Sequence, residues 1–170
     1  MKTESLSSIL HELKETRAAV LHEIKKLPDT QLNAKPKRES WSIIQMLHHL
    51  HLVEQSVTSN ITYALRTCKK CDVPRKMLPV TLDHVNMPEQ LTPTETIMKR
   101  NEIEELLHAS RTSLLECLQG VDDERELWTK ATQHPMLGEL GLGQWLQFYE
   151  RYERHYLYEI KEAKRSLQHS

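Results

Sequence analysis

Four long segments of this chain repeat apolar residues at three- and four-residue spacing, and breaks of proline, glycine and polar residues separate them. That spacing marks one face of an α-helix. The chain therefore carries four amphipathic stripes, which bury themselves most simply against one another. The first predicted helix runs from about Ser5 to Lys26, with Leu6, Ile9, Leu10, Leu13, Val20, Leu21 and Ile24 on its stripe. Pro28 and Asp29 end it, and a polar stretch through Asn33, Pro36 and Arg38 follows. The second begins near Ser42, where Ser42 and Gln45 have capping-box form, and continues to about Thr67. Trp41, just before the cap, is placed to staple against the first turn. An irregular link covers about 68–91, where Pro74, Pro79 and Pro88 argue against a continuous helix. Thr92, Pro93 and Glu95 predict the start of a third helix. Its stripe includes Ile97, Ile103, Leu107, Leu114 and Leu118, and Gly120 stops it. A second connector, about 121–140, holds Trp128 and the turn-like segment His134 to Gly138. The fourth helix runs from about Leu142 to Ser166, with Trp145, Phe148, Tyr149, Tyr152, Tyr156 and Ile160 on its buried face.

This pattern predicts an all-α fold: a four-helix bundle forming a single domain over 1–170, with long connectors between helices two and three and between helices three and four. The scarcity of glycine, 4 in 170 residues, supports helix over sheet. A net charge of -1 without a basic stripe lacks the electrostatic footprint of a nucleic-acid binder. No apolar run reaches membrane-spanning length and the N-terminus has no apolar signal core, so a cytoplasmic protein is expected. Three cysteines then read as reduced thiols. Cys68 and Cys71 are a single pair, whereas a structural zinc site needs four ligands, so they read as thiols in a surface loop.

The candidate chemistry lies in two histidines a hundred residues apart. His49 sits one turn after Gln45, on the flank of Met46 and Val53, while His48 and His51 fall on other faces. On helix four, Arg151, His155 and Glu159 form one i, i+4 row. Imidazoles from facing helices of a bundle can hold a divalent ion such as Zn, Ni, Fe or Mn. A catalytic zinc centre generally has three protein ligands plus a water whose pKa the metal lowers. His49 and His155 supply two. Arg151, one turn before His155, stays protonated and has no lone pair to give. His134 and Glu159 are the possible substitutes. The alternative for His49 is a half-buried histidine bonded to a neighbour's backbone or carboxylate. Arg151 reads either as the partner of a carboxylate on another helix or as an anion clamp, in a cleft with Gln45, Tyr152 and Glu159.

Three stretches carry a family resemblance. The segment Trp41-Ser-Ile-Ile-Gln-Met-Leu-His-His-Leu50 looks like a W-S-x-x-E-x-L-x-H-L entry to helix two. His134-Pro-Met-Leu-Gly-Glu-Leu140 looks like an H-P-x-x-G-x-L connector. Gln144-Trp145-Leu146, with Glu150 to Ile160, looks like a helix-four signature containing an H-x-x-x-H pair. Together they resemble the DinB superfamily, including its DinB-like and YfiT-like metal-dependent hydrolases and its bacterial thiol transferases. The resemblance implies an up-down-down-up bundle, a homodimer, and a metal held by one histidine of helix two and two of helix four. His49 matches the first ligand and His155 the last; Arg151 falls on the middle one and departs from the pattern. Three functions follow: metal-dependent hydrolysis or small-thiol transfer at an incomplete histidine site, metal-free binding of a small anion, or a stress-related bundle that binds another protein. A small molecule or thiol is the expected partner, with neither nucleic acid nor membrane.

Overall fold

The computed structural model describes residues 4–69, 72–79 and 87–168. Four long helices dominate it: α1 (Leu6–Ile24), α3 (Ile43–Thr67), α4 (Arg100–Gln119) and α6 (Leu142–Gln168). Two short helices, α2 (Asp29–Asn33) and α5 (Glu126–Thr129), and one antiparallel hairpin, β1 (Ala131–His134) with β2 (Gly138–Gly141), fill the connectors. None of the described helices is long and apolar enough to cross a membrane.

Local chemistry sets most of the helix starts. Ser5 caps α1, its hydroxyl accepting the Ser8 N–H at 3.2 Å. At α3 the Ser42 hydroxyl accepts the Gln45 N–H at 3.2 Å, and the Gln45 side-chain oxygen accepts the Ser42 N–H at 3.0 Å. Each satisfies a donor that the helix itself leaves unpaired. Trp41 reaches farther than the first turn, its ring centroid 5.0 Å from that of His49.

The third long helix corrects the sequence expectation. It starts at Arg100 rather than at Thr92, and Thr92 closes a short 3-10 turn, Glu89–Leu91. Side chains of earlier helices hold residues 94–100 instead. His48 Nδ1 accepts the Thr94 N–H at 3.1 Å, and Gln45 Nε2 donates to the Thr94 carbonyl at 3.4 Å. The Asn33 carboxamide bonds both the N–H and the C=O of Met98, and Asp29 accepts the Arg100 N–H at 2.9 Å. These tertiary partners hold the segment extended as far as Lys99, whose N–H the Glu102 carboxylate accepts at 2.6 Å, and Ile97 is left 79% exposed. The polar stretch after Pro28 likewise forms α2, whose Leu32 is fully buried.

The hairpin is the other element that periodicity did not reveal. Its strands are four residues each, too short for alternation to stand out. Gly138, at φ 71°, takes the left-handed position that closes the three-residue turn.

The hydrogen bonds and ion pairs between helices fix their relative directions. Glu12 pairs with Arg154 and Glu23 with Lys164, so α1 and α6 run alongside in the same sense. His51 contacts Leu106 and Thr62 contacts Cys117, so α3 and α4 also run together. Trp41 lies against Tyr156 while Leu50 meets Tyr149, which sets α3 against α6 in opposite senses.

At the centre of the bundle sits a closed ring of four charges, one from each long helix. Arg17 Nε donates to Glu153 at 2.5 Å and its Nη2 to Glu54 at 3.0 Å; Arg111 Nε donates to Glu54 at 2.5 Å and its Nη2 to Glu153 at 2.8 Å. The ring is also tied to the helix backbones. Arg17 Nη1 reaches the Leu107 carbonyl and Arg111 Nη1 the Leu13 carbonyl, while the Ser110 hydroxyl donates to Glu54 at 2.6 Å. Burial pushes the Glu54 carboxyl up, but the cations of Arg17 and Arg111 and the bonds from Ser110 and Arg111 outweigh it, and its pKa is lowered. Burial likewise works against the Arg17 charge, and the Glu153, Tyr149 and Glu54 oxygens reverse it, so that pKa is raised.

Candidate functional site

A small cavity of about 40 Å³ opens between α3, α6, the hairpin turn and the residues leading into the 3-10 turn. His49, Val53 and Val57 line it from α3, Leu91 from the link, His134 and Met136 from the hairpin, and Trp145, Phe148 and Tyr152 from α6. None of its described lining residues is an Asp, Glu, Lys or Arg.

His49 is fully buried on one side of this cavity. Its Nδ1 lies 2.6 Å from the Leu91 carbonyl and its Nε2 2.6 Å from the Tyr152 hydroxyl. A carbonyl only accepts, so Nδ1 carries the proton, and in the neutral ring Nε2 takes the Tyr152 O–H. Tyr152 and Tyr156 are hydrogen-bonded to each other. With the Tyr152 proton committed to His49, its oxygen accepts from Tyr156. Burial raises the pKa of both phenols, keeping the chain of hydroxyls neutral.

His134 lines the same cavity from the hairpin. Its Nδ1 accepts two backbone N–H groups, from Met136 and Leu137, at 3.2 Å each. The proton of the neutral ring is therefore on Nε2. Burial lowers its pKa to about 4, so the ring is uncharged at neutral pH. The ring lies tilted against Trp145, with centroids 4.5 Å apart, and the buried Nε1–H of that tryptophan has no hydrogen-bond partner among the described residues.

The remaining residues singled out by sequence lie elsewhere. His155 is partly exposed, 4.0 Å from Glu159, and shares only a neighbour with His49: the Tyr156 ring is 5.4 Å from His49 and 5.7 Å from His155. Glu159 is half-exposed and Gln45 is engaged in the helix cap. Arg151 is exposed and makes no ion pair among the described residues. Neither Arg151, Gln45, His155 nor Glu159 lines the cavity, whereas His49, His134 and Tyr152 do. His48 and His51, on other faces of the helix, are both engaged: His48 accepts the Thr94 N–H. His51 is buried, with Nδ1 2.8 Å from the Leu106 carbonyl, and burial lowers the pKa of both rings. Cys68 is a half-buried free thiol, and Cys71 lies outside the described residues.

This donor set does not fit a three-ligand metal centre. Among the described residues no three His, Cys, Asp or Glu side chains are grouped so as to hold an ion. The lone-pair nitrogen of His49 is occupied by the Tyr152 hydroxyl, and the guanidinium at 151 has no pair to offer.

Sequence reasoning missed the charge ring and the unpartnered Trp145 N–H. The ring had a signal. Arg17, Glu54, Arg111 and Glu153 each follow a buried apolar residue by four positions and precede others by three and seven: Leu13, Val20 and Ile24 around Arg17, and Leu50, Val57 and Ile61 around Glu54. A charge inside the stripe of every helix, two of each sign, is legible. Nothing local marks the Trp145 N–H as unpartnered.

The sequence profile of the DinB superfamily matches residues 12–160. The chain is 26% identical over 157 residues to the uncharacterized protein YuaE of Bacillus subtilis (strain 168), covering 91% of this chain and 96% of that one. Among solved structures it is similar to TT2238, a four-helix bundle protein, with a TM-score of 0.66 at 20% identity, over 92% of this chain and 98% of that one. It is also similar to YfiT of Bacillus subtilis, described as a probable metal-dependent hydrolase with an unusual four-helix bundle topology. That match has a TM-score of 0.64 at 16% identity, over 97% of this chain and 90% of that one.

Proposed function

The chain belongs to the DinB superfamily, and from that premise we propose that it binds a small molecule in the cavity beside His49 without a complete histidine metal centre. The observation that carries this reading is the occupation of His49: both ring nitrogens are bonded within the protein, Nδ1 to Leu91 and Nε2 to Tyr152. An incoming ion would have to displace the tyrosine, and neither His155 nor residue 151 lines the cavity to supply a further ligand. The cavity, by contrast, is apolar with a few placed polar groups, as small-molecule sites generally are. The test is metal analysis of untagged protein purified without chelator, with melting curves after addition of Zn, Ni or Mn. Substoichiometric metal and unmoved curves are expected. One bound metal per chain, or a melting temperature raised by any of the three ions, would overturn the reading.

A second reading, metal-dependent hydrolysis or small-thiol transfer using His49 and His155, is favoured by one contact. A histidine that donates Nδ1–H to a backbone carbonyl is held as metal-ligating histidines usually are. YfiT, described as probably metal-dependent, shares the fold. Arg151→His tells the two apart further. Tight metal uptake gained only by the variant would mean that residue 151 alone is missing; no gain would mean that the two histidines do not converge. The proposal takes the assembly to be a homodimer, and sedimentation showing only monomer would refute that part.

A further inference from the structure

Among the described residues one buried side-chain N–H is left without a partner, and it belongs to a residue of the cavity wall. Trp145 is 2% exposed, lines the cavity, and its Nε1–H is without a partner among the described residues. A buried donor left unsatisfied loses its hydration without a replacement, and a ligand acceptor would restore the bond. His134 presents a second donor, because its Nδ1 is fixed as an acceptor by the Met136 and Leu137 N–H groups and the proton is left on Nε2. The two rings are 4.5 Å apart. Of the other polar side chains of the wall, His49 is engaged through both nitrogens, Tyr152 donates to it, and the Ser56 oxygen accepts from Asn60 at 3.5 Å.

We propose that this cavity binds a small, uncharged, mostly apolar molecule through one carbonyl-type oxygen, received by the Trp145 indole N–H and the His134 Nε2–H. The inference rests on the reading of the cavity as a small-molecule site and adds the class of ligand. Three points select that class. An anion would enter a wall that has no described cation to balance it, and losing water without a partner charge is costly. A water molecule could accept from both donors, but its own two protons would then face apolar groups; a carbonyl oxygen accepts twice and carries no proton. The volume of about 40 Å³ exceeds the ~10–15 Å³ that one water needs, and so leaves room for the first atoms of an apolar body behind the oxygen.

The experiment is a titration of ¹⁵N-labelled full-length protein with cyclopentanone and, separately, with methylenecyclopentane, which has the same shape and no acceptor. The three tryptophans give three indole N–H signals, and Trp145→Phe identifies one of them. Expected is a saturable downfield shift of the Trp145 signal with the ketone and none with the hydrocarbon, the signals of Trp41 and Trp128 staying in place. Ligand-detected saturation transfer should show ketone affinity reduced about fivefold in Trp145→Phe, the loss of one hydrogen bond, with hydrocarbon affinity unchanged. Should that variant fold poorly, His134→Asn keeps an acceptor for the turn and removes the Nε2–H, and the same loss is expected. An unmoved Trp145 signal at saturating ketone, or equal affinity for the two probes, overturns the acceptor assignment alone. Failure of both probes to bind at tens of millimolar overturns the small-molecule reading with it.

Discussion

The charge ring and the His49 cavity are both polar islands in an apolar bundle, and they are finished to different degrees. In the ring, every guanidinium and carboxylate meets opposite charges, and the arginines also reach helix carbonyls. At the cavity one buried N–H is left unpaired, and the neighbouring polar groups hold one another in a single protonation pattern. A fully satisfied network specifies which helix faces which; an unfinished one leaves binding energy available to something else. The ring ties the four long helices to one another, and the cavity carries the polar groups that the proposed ligand would use.

The ring should break hardest. Glu54→Gln leaves Arg17 and Arg111 short of a counter-charge in the core. Removing one member of a buried ion network generally costs about 3–5 kcal/mol. Urea denaturation should show a loss of that size, and a loss under about 1 kcal/mol would mean that the ring is not what it looks like. Joint replacement of all four by apolar residues of similar volume should cost far less, because no orphan charge remains.

Acid separates the two regions by pH. His134 is held at about 4, below the ~6.5 of an unfolded histidine, so the unfolded chain binds more protons between those values. Its contribution is complete above about 6.5 and is lost as pH falls toward 4. Burial lowers the pKa of His48 and His51 as well, which adds to the same slope. Glu54 is lowered below the ordinary carboxylate value of ~4.3, so its contribution is present above that value and disappears only as pH falls through the lower, folded one. Melting temperatures measured from pH 7 to pH 3 should therefore fall in two stages. His134→Asn should flatten the first and leave the second; an unchanged first stage would refute the neutral-histidine account.

How much of this was readable beforehand follows from the range of each interaction. The four stripes, the Ser42–Gln45 cap and the stop at Gly120 rest on contacts within a few residues, and the helices they predict are present. The start at Arg100 rests on Glu102 nearby and on Asp29 and Asn33, about seventy residues away in sequence, and so the Thr92-Pro93-Glu95 signal misleads. The site divides in the same way. His49 and Tyr152 could be placed beside a cavity from periodicity and resemblance, while the involvement of Trp145 depends on which neighbour fails to meet one N–H.

Tyr152→Phe sharpens the cavity side. It removes the donor to His49 Nε2 and leaves that nitrogen buried, at a cost of about 1–3 kcal/mol. It also frees the lone pair. If Tyr152 is what keeps the nitrogen from metal, Tyr152→Phe combined with Arg151→His should take up Ni or Zn more tightly than Arg151→His alone, and equal uptake in calorimetry would dismiss the hydroxyl as the obstacle.

The smallest effect should come from Arg151 itself, and it completes the comparison with Arg17 and Arg111. Those two guanidiniums are buried among carboxylates; Arg151 stands exposed on the same bundle without an ion pair among the described residues. An exposed charge that touches no such partner usually changes stability by less than about 0.5 kcal/mol when removed. Arg151→Ala should therefore leave the urea midpoint nearly unmoved, a contrast of several kcal/mol with the ring. A loss above 1 kcal/mol would show that the side chain is engaged in solution, and a loss that grows with protein concentration would locate its partner on a second copy of the chain.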